Sequence, residues 1–115
     1  MSAPIIDLSY LERLYKGDRS RMEYWVRTYL EDAPALFQQL EDSVQRDDAQ
    51  GLTATAHDLR PLAHYLGAQR MLDLLVRVGQ EARASGAAAC AVLVTEVLAQ
   101  GAAIEGELKV TFNPS

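Results

Sequence analysis

The sequence predicts an all-α protein, an antiparallel four-helix bundle with a short additional N-terminal helix. Apolar residues recur at helical spacing in five consecutive segments of the chain. Short stretches that contain glycine or paired aspartates separate these segments, and short connections between amphipathic helices favour antiparallel neighbours. A strand-like run at residues 109–112 has no second strand signal nearby with which it could pair.

We expect the first two segments to form a short helix and a long one. The short segment carries four apolar residues at helical spacing: Leu8, Leu11, Leu14 and Tyr15. Asp7 can cap its start and Gly17 can close its end. Asp18 is a cap for the long segment, whose apolar stripe runs over residues 22–44. Pro34 interrupts that stripe, but the apolar phase is the same on both sides, so the pattern predicts one long helix that Pro34 can kink.

Three further apolar stripes follow, and each marks one face of a helix. Their members are Leu52, Ala56, Leu59, Ala63 and Leu66; Met71, Leu74, Leu75, Val78 and Ala82; and Cys90, Val94, Val97, Ile104 and Leu108. The turn signals around them are Asp47-Asp48, Gly67 and Ser85-Gly86. Gly101 and Gly106 weaken the far end of the last helix, and we expect a frayed tail over about residues 109–115.

Composition and charge narrow the classes of function. A chain of 115 residues is one domain, 1–115. Its 16 acidic residues against 11 basic ones give a net charge of −5, which argues against nucleic acid as a partner. The one cysteine, Cys90, cannot form an internal disulfide and fits a reducing compartment. No signal-peptide pattern and no apolar run near the ~20 residues of a membrane span are visible, so we expect a cytoplasmic monomer without a membrane partner.

The sequence lacks the short motifs of the common enzyme classes. It contains no glycine-rich phosphate loop, no dinucleotide-binding fingerprint, no paired-histidine zinc motif, no pair of closely spaced cysteines and no serine nucleophile elbow. Scattered carboxylate pairs such as Glu41-Asp42 are most simply solvated faces. We therefore predict no ATP site, no metal site and no cofactor held by this chain.

Residues 55–67 form the most informative segment, because both histidines of the chain lie within it. Around a helix His57 projects at about 140° from the Leu52 stripe and His64 at about 120°, so both point away from the core. Arg60 at about 80° and Pro61 at about 180° share that outer side. Spacing alone leaves ordinary exposed histidines as the simpler reading. A shared metal ion is disfavoured, because two helical turns separate the two rings by about 10 Å of rise.

A series of landmarks resembles the histidine-containing phosphotransfer (HPt) family over residues 5–83. The landmarks are Ile6-Asp7-Leu8 with Gly17-Asp18, Tyr29 to Pro34, an acidic turn at Asp47-Asp48, Ala56-His57-Asp58-Leu59-Arg60, and Leu66-Gly67-Ala68 with Met71. The fourth matches the family pattern A-H-x-L-K with Arg in place of Lys, and the fifth matches the later L-G-A-x-x-L. Their order and spacing over about two-thirds of the chain carry the resemblance.

The resemblance implies a phosphorelay protein of the bundle fold predicted above. His57 would be the phosphoacceptor and Arg60 would support the charge of the phosphoryl group. Thr53, Pro61 and His64 would face the partner, which would be a response-regulator receiver domain or a hybrid sensor kinase. The aspartate and the Mg²⁺ would belong to the receiver domain, and this chain would be a stand-alone phosphocarrier without ATP chemistry of its own.

Three positions depart from the family pattern. Pro61 and Leu62 replace a usual Gly and a small polar residue, and Gly79 stands where Glu is common. Pro61 removes the amide that would bond the His57 carbonyl, and it disfavours helical angles at Arg60, so we expect a local bend there. Two alternatives therefore stay open: a degenerate HPt fold that binds a receiver without carrying phosphate, and a helical adaptor unrelated to phosphorelays.

Overall fold

A computed structural model describes residues 5–112 and confirms the all-helical fold. Its elements are α1 (Ser9–Leu14), α2 (Arg19–Gln45), α3 (Ala49–Tyr65), α4 (Gln69–Ser85), a short 3-10 helix (Ala88–Cys90) and α5 (Ala91–Thr111). No strand occurs within residues 5–112. Residues 113–115 of the expected frayed tail lie outside the described residues.

The long helices form a bundle in which each one packs against the next. α2 contacts α3, α3 contacts α4, α4 contacts α5, and α5 returns to contact α2, while α1 packs on α2. The interface between α3 and α4 is the most extensive of these. The pairs α3/α4 and α2/α5 therefore lie on opposite sides of the bundle.

The predicted apolar stripes form the core. Three leucines of the predicted α3 stripe are at most 1% exposed: Leu52 and Leu59 within the helix, and Leu66 directly after its end. They belong to one cluster with buried residues of α2, α4 and α5: Val26, Tyr29, Leu40, Leu74, Leu75, Val78, Val94, Val97, Ile104 and Leu108, among others. The helical period of the sequence thus predicted the faces that are buried.

Two predicted caps are present, and a third is displaced by one position. The Asp18 side chain accepts a hydrogen bond from the Arg21 amide at 3.3 Å, and Asp48 accepts one from the Gly51 amide at 2.9 Å. The first residue of α1 is Ser9, and Asp7 accepts from the Ser9 amide at 3.0 Å. The Ser9 hydroxyl also donates to the Asp7 carboxylate. The hydrogen bond from the Ser9 side chain has the larger effect and that from the Ser9 amide the smaller, and both lower the pKa of Asp7 below its usual range.

Asp47 connects two turns that are far apart in sequence but lie at the same end of the bundle. Its φ is +51°, and it lies in the turn that the Asp47-Asp48 pair predicted. Its carboxylate accepts a hydrogen bond from the Ala88 amide at 3.0 Å. The turn between α2 and α3 is thereby tied to the start of the 3-10 helix that leads into α5.

α5 extends further than expected. The helix extends to Thr111, so residues 109–111 of the expected frayed tail are helical. Arg19 stabilises this end: it donates to the Thr111 carbonyl at 2.7 Å, and its guanidinium lies 4.8 Å from the centre of the Phe112 ring. That Gly101 and Gly106 weaken α5 stays a prediction, but Gly101 also has a packing role. It is buried, and a Cβ there would come within 2.9 Å of the Phe37 ring, so the glycine permits close packing of α2 on α5.

α5 is also more apolar than the sequence reading allowed. Within the 24 residues Ala88–Thr111 an 18-residue window has a mean hydropathy of 1.5, so this segment is long and apolar enough to cross a membrane by length and composition alone. The core helix of a soluble bundle can pass the same test. Here 28% of that window is buried, and Val94, Val97 and Ile104 belong to the core cluster.

Tyr29 is a buried tyrosine at the α2/α5 side of the core. Its side chain is 4% exposed, and its hydroxyl has no hydrogen-bond partner among the described residues. Burial, with a smaller effect of the Glu105 carboxylate, raises the pKa of Tyr29 to about 12. The Trp25 ring stacks on the Tyr29 ring with centres 5.8 Å apart and planes 6° apart.

We expect the replacement Gly67→Ala to destabilise the bundle strongly. Gly67 has a φ of +62°, and an added Cβ would collide with the Asp7 carbonyl beside the Asp7–Leu66 backbone hydrogen bond. Strain and collision together should lower the free energy of unfolding by about 2 kcal/mol or more in urea denaturation. Gly106→Ala is the matched control, because a Cβ there meets nothing within 4 Å. It should leave stability unchanged or raise it by about 0.5–1 kcal/mol. Equal effects of the two replacements would contradict this role of Gly67.

The replacement Tyr29→Phe should reduce the loss of stability at alkaline pH. The unfolded tyrosine releases its proton near pH 10, whereas the folded one holds it to about 12. Between these values the unfolded chain binds fewer protons, so rising pH favours unfolding. Between about pH 9 and about pH 11, the free energy of unfolding measured by urea denaturation should fall less in Tyr29→Phe than in the natural chain. Tyr24→Phe, at a side chain that is 70% exposed, is the control. The same loss in Tyr29→Phe and the natural chain would refute the assignment.

Candidate functional site

The packing of α3 places His57 on the outer surface of the bundle. Ala56 and Leu59, on either side of it in the stripe, are each 1% exposed and face the core. His57, Asp58 and Arg60 are exposed on the other side of the same helix. The sequence prediction of an exposed histidine in the middle of the third helix is confirmed.

His57 lies in an open groove between α3 and α4. The groove has a volume of about 780 Å³. On the α3 side its wall includes Thr53, His57, Asp58 and Arg60. The structure therefore brings together three of the predicted site residues, Thr53, His57 and Arg60, on one surface.

The α4 wall adds a second arginine that the sequence reading missed. Arg83 and Gln80 line the same groove from α4, beside the buried Gly79. A Cβ at Gly79 would lie 3.7 and 3.9 Å from the two terminal guanidinium nitrogens of Arg83. Because Gly79 has no side chain, the Arg83 guanidinium lies across it. Gly79 and Arg83 are four residues apart, and this spacing places them on one face of a helix. That spacing is the signal by which the sequence could have indicated Arg83.

Two guanidinium groups and one imidazole make the groove suitable for an anion. Neither Arg60 nor Arg83 forms an ion pair with a carboxylate among residues 5–112. Asp58 is the carboxylate in the groove wall. Arginine presents fork-shaped donors that match phosphoryl oxygens, so both side chains can serve a phosphoryl group at His57.

His64 and Pro61 lie outside this groove. The His64 ring packs edge-on against the Tyr10 ring with centres 4.8 Å apart, and it lines a separate cleft with Asp7 and Arg13. Pro61 is exposed on the outer side of α3. The two histidines, which the sequence placed at similar angles, thus occupy different surroundings.

α3 accommodates Pro61 without a break. It runs as one helix over Ala49–Tyr65, including Arg60 and Pro61. The local bend expected there does not interrupt the helix. The His57 carbonyl, which lacks the amide of residue 61, is on the exposed side of the helix, where water can satisfy it.

The described residues offer no ready site for a metal ion. Among residues 5–112 no three His, Cys, Asp or Glu side chains come together as a ligand group. Cys90 is buried, and its sulfur lies 3.6 Å from the Val78 carbonyl. Burial raises the pKa of the Cys90 thiol, which keeps it in the unreactive protonated form.

Comparison with known families identifies the chain. A family model described as the Hpt domain matches residues 25–108, which include α3, α4 and the groove between them. The chain belongs to the Hpt domain family, whose members are phosphocarrier modules of two-component signalling. Comparisons with curated proteins and with solved structures gave no match. Family membership sets aside the unrelated helical adaptor.

Arg60→Ala and Arg83→Ala should each slow phosphoryl transfer more than they weaken docking of a receiver domain. If His57 carries a phosphoryl group, each replacement would remove a donor to that group during transfer, which is worth roughly tenfold to a hundredfold in rate. Single-turnover transfer and a separate binding titration measure the two effects. Arg77→Ala is the control, because Arg77 is an exposed residue of α4 that does not line the groove. Unchanged transfer in both groove variants would make these arginines ordinary surface residues.

Proposed function

We propose that this chain is a stand-alone histidine phosphotransfer protein, which carries a phosphoryl group on His57 between aspartates of receiver domains. Family membership supports the relay class. The observation that carries the assignment to His57 is its exposed position in a groove that also contains Arg60 and Arg83. His64, packed on Tyr10 outside that groove, lacks these neighbours.

The proposed chemistry needs a nucleophile and neutralised charge. A neutral imidazole nitrogen of His57 attacks the phosphorus of the receiver's aspartyl phosphate in line. The nitrogen–phosphorus bond forms as the bond to the aspartate oxygen breaks, and the aspartate leaves as a carboxylate. The reverse step delivers the group to a second receiver. Because phosphoryl transfer is mostly positioning and charge stabilisation, the rigid α3 and the two arginines are what this chain contributes.

The partner supplies the other half of the site. We propose that a receiver domain, of a response regulator or a hybrid sensor kinase, contributes the aspartate and the Mg²⁺, and that this chain holds no cofactor of its own. Thr53 within the groove, and Pro61 and His64 beyond it, would contact that partner. We further propose a cytoplasmic monomer without ATP chemistry, nucleic-acid binding or membrane attachment.

The proposed arrangement of the fold is an antiparallel four-helix bundle of α2 to α5, covered at one end by α1. Support comes from the closed order of helix contacts and from the short connections at residues 46–48 and 66–68. In that arrangement His57 lies near the middle of a helix supported along its length.

A degenerate Hpt fold is the second candidate. It would bind a receiver domain without accepting phosphate. The observation that favours it is Pro61, which stands one residue after Arg60 where the family has Gly. Phosphate acceptance distinguishes the two candidates, because both predict binding to a receiver.

Incubation with a labelled, phosphorylated receiver domain tests the proposal. The natural chain should acquire acid-labile label, and His57→Gln should acquire none while its helical circular dichroism stays nearly unchanged, because a surface replacement costs within about 0.5 kcal/mol. His64→Gln is the matched control and should retain most of the label. Label on His57→Gln would place the acceptor elsewhere. Binding without label in the natural chain would support the degenerate fold.

Pro61→Gly tests whether the proline is a handicap. Glycine would restore the amide for the His57 carbonyl and the small surface of the family, although it is a poor helix former. The rate of single-turnover transfer from one phosphorylated receiver should stay the same or increase. A large loss of rate would mean that Pro61 belongs to a surface adapted to its own partner.

A further inference from the structure

The groove between α3 and α4 is locally cationic although the chain as a whole is acidic. The net charge of the chain is −5, but the charged residues that line this groove are Arg60, Arg83 and Asp58. Besides His57, the other polar lining residues are neutral: Gln50, Thr53 and Gln80. Two guanidinium groups against one carboxylate leave an excess of positive charge, which attracts small anions from solution.

Arg83 is placed to serve an anion that lies beside His57. Its two terminal guanidinium nitrogens are 3.7 and 3.9 Å from the position of a Cβ on Gly79, and Gly79 lines the same groove as His57. Neither Arg83 nor Arg60 forms an ion pair with a carboxylate among residues 5–112. An anion that enters the groove therefore has no internal ion pair to displace.

A small molecule can bring the same reactive bond as a receiver domain. The aspartyl phosphate of a receiver is an acyl phosphate, in which the phosphoryl group is joined to a carboxyl oxygen. A free acyl phosphate contains that bond without the protein around it. The groove, of about 780 Å³, lies within the usual range of ligand pockets. Its two guanidinium groups can neutralise phosphoryl oxygens that a receiver would present with Mg²⁺.

We propose that His57 also accepts a phosphoryl group directly from a small free acyl phosphate bound in this groove. Arg60 and Arg83 hold the phosphoryl oxygens while a neutral imidazole nitrogen of His57 attacks the phosphorus. The nitrogen–phosphorus bond forms as the bond to the acyl oxygen breaks, and the acyl group leaves as a carboxylate, which needs no proton. This inference rests on the proposed function, because the nucleophile is the same, and it adds a second class of donor.

Incubation of the full chain with acetyl phosphate in excess EDTA tests the inference. EDTA removes the Mg²⁺ on which we propose that a receiver depends, so a trace of receiver protein could not relay the label. Intact-protein mass spectrometry at alkaline pH should show one acid-labile phosphate on the natural chain. His57→Gln should acquire it at no more than about a tenth of that rate, because His64 is exposed but has no groove arginine beside it.

Replacement of Arg83 tests whether its guanidinium assists. Arg83→Ala should slow phosphorylation by acetyl phosphate about tenfold, as expected for loss of a charge-assisted hydrogen bond. Arg77→Ala, at an exposed α4 residue outside the groove, should leave the rate unchanged. Equal rates in these two variants would overturn the role of the groove.

Gly79 allows a second test that changes only charge. A Cβ there meets Arg83 at ordinary contact distances. In Gly79→Glu the new carboxylate, four residues before Arg83, can pair with its guanidinium. Gly79→Gln has the same size without the charge. Phosphorylation should be about tenfold slower in Gly79→Glu than in Gly79→Gln, and equal rates in the two would contradict the proposal.

A parallel reaction with a phosphorylated receiver domain and Mg²⁺ separates this inference from the proposed function. Label from the receiver but none from acetyl phosphate would overturn the inference and leave the proposed function intact. Label from neither donor would overturn both. Equal labelling of His57→Gln and the natural chain by acetyl phosphate would show that other surface groups react, and would likewise overturn the inference.

Discussion

The packing of the α3 apolar stripe against α4 is the constraint on which the rest of the structure depends. Each buried leucine of that stripe contributes about 1.5–3 kcal/mol, whereas an exposed ion pair four residues apart on a helix contributes about 0.3–0.5 kcal/mol. Core packing therefore decides the rotation of α3. Since Ala56 and Leu59 must face inward, His57 has to face outward into the groove beside α4.

The junctions at the ends of the helices hold this packing in register. Gly67, with its positive φ, lets the chain turn from α3 into α4 while the Asp7 amide donates to the Leu66 carbonyl at 2.9 Å. At the other end Asp48 caps α3, and Asp47 binds the Ala88 amide. The groove of His57 is thus built between two helices whose ends are fixed by glycine conformation and by carboxylate caps. Fixed helix ends of this kind would suit the proposed phosphoryl carrier, because they would position His57 before a partner arrives.

Much of the fold and the centre of the candidate site could be predicted from the sequence. Helical periodicity predicted the helices and the outward direction of His57, and Asp18 and Asp48 marked two helix starts by local chemistry. Contacts between helices could not be predicted in this way. The outward angle of His64 on α3 was correct, but its edge contact with Tyr10, from another helix, was not predicted. Arg83 belongs to the site because α4 packs beside α3, which the periodicity of one helix does not predict. The close approach of Gly101 to Phe37 is likewise a tertiary contact, so the sequence predicted only the low helix propensity of that glycine.

The most direct test of the account is to locate the phosphate on the natural chain. After incubation with a phosphorylated receiver domain, peptides prepared at alkaline pH would be sequenced by tandem mass spectrometry, which preserves phosphohistidine long enough to assign it. We expect one acid-labile phosphate, on His57, in a peptide that also contains Arg60. Phosphate on His64, or no phosphate on a chain that binds the receiver, would contradict it.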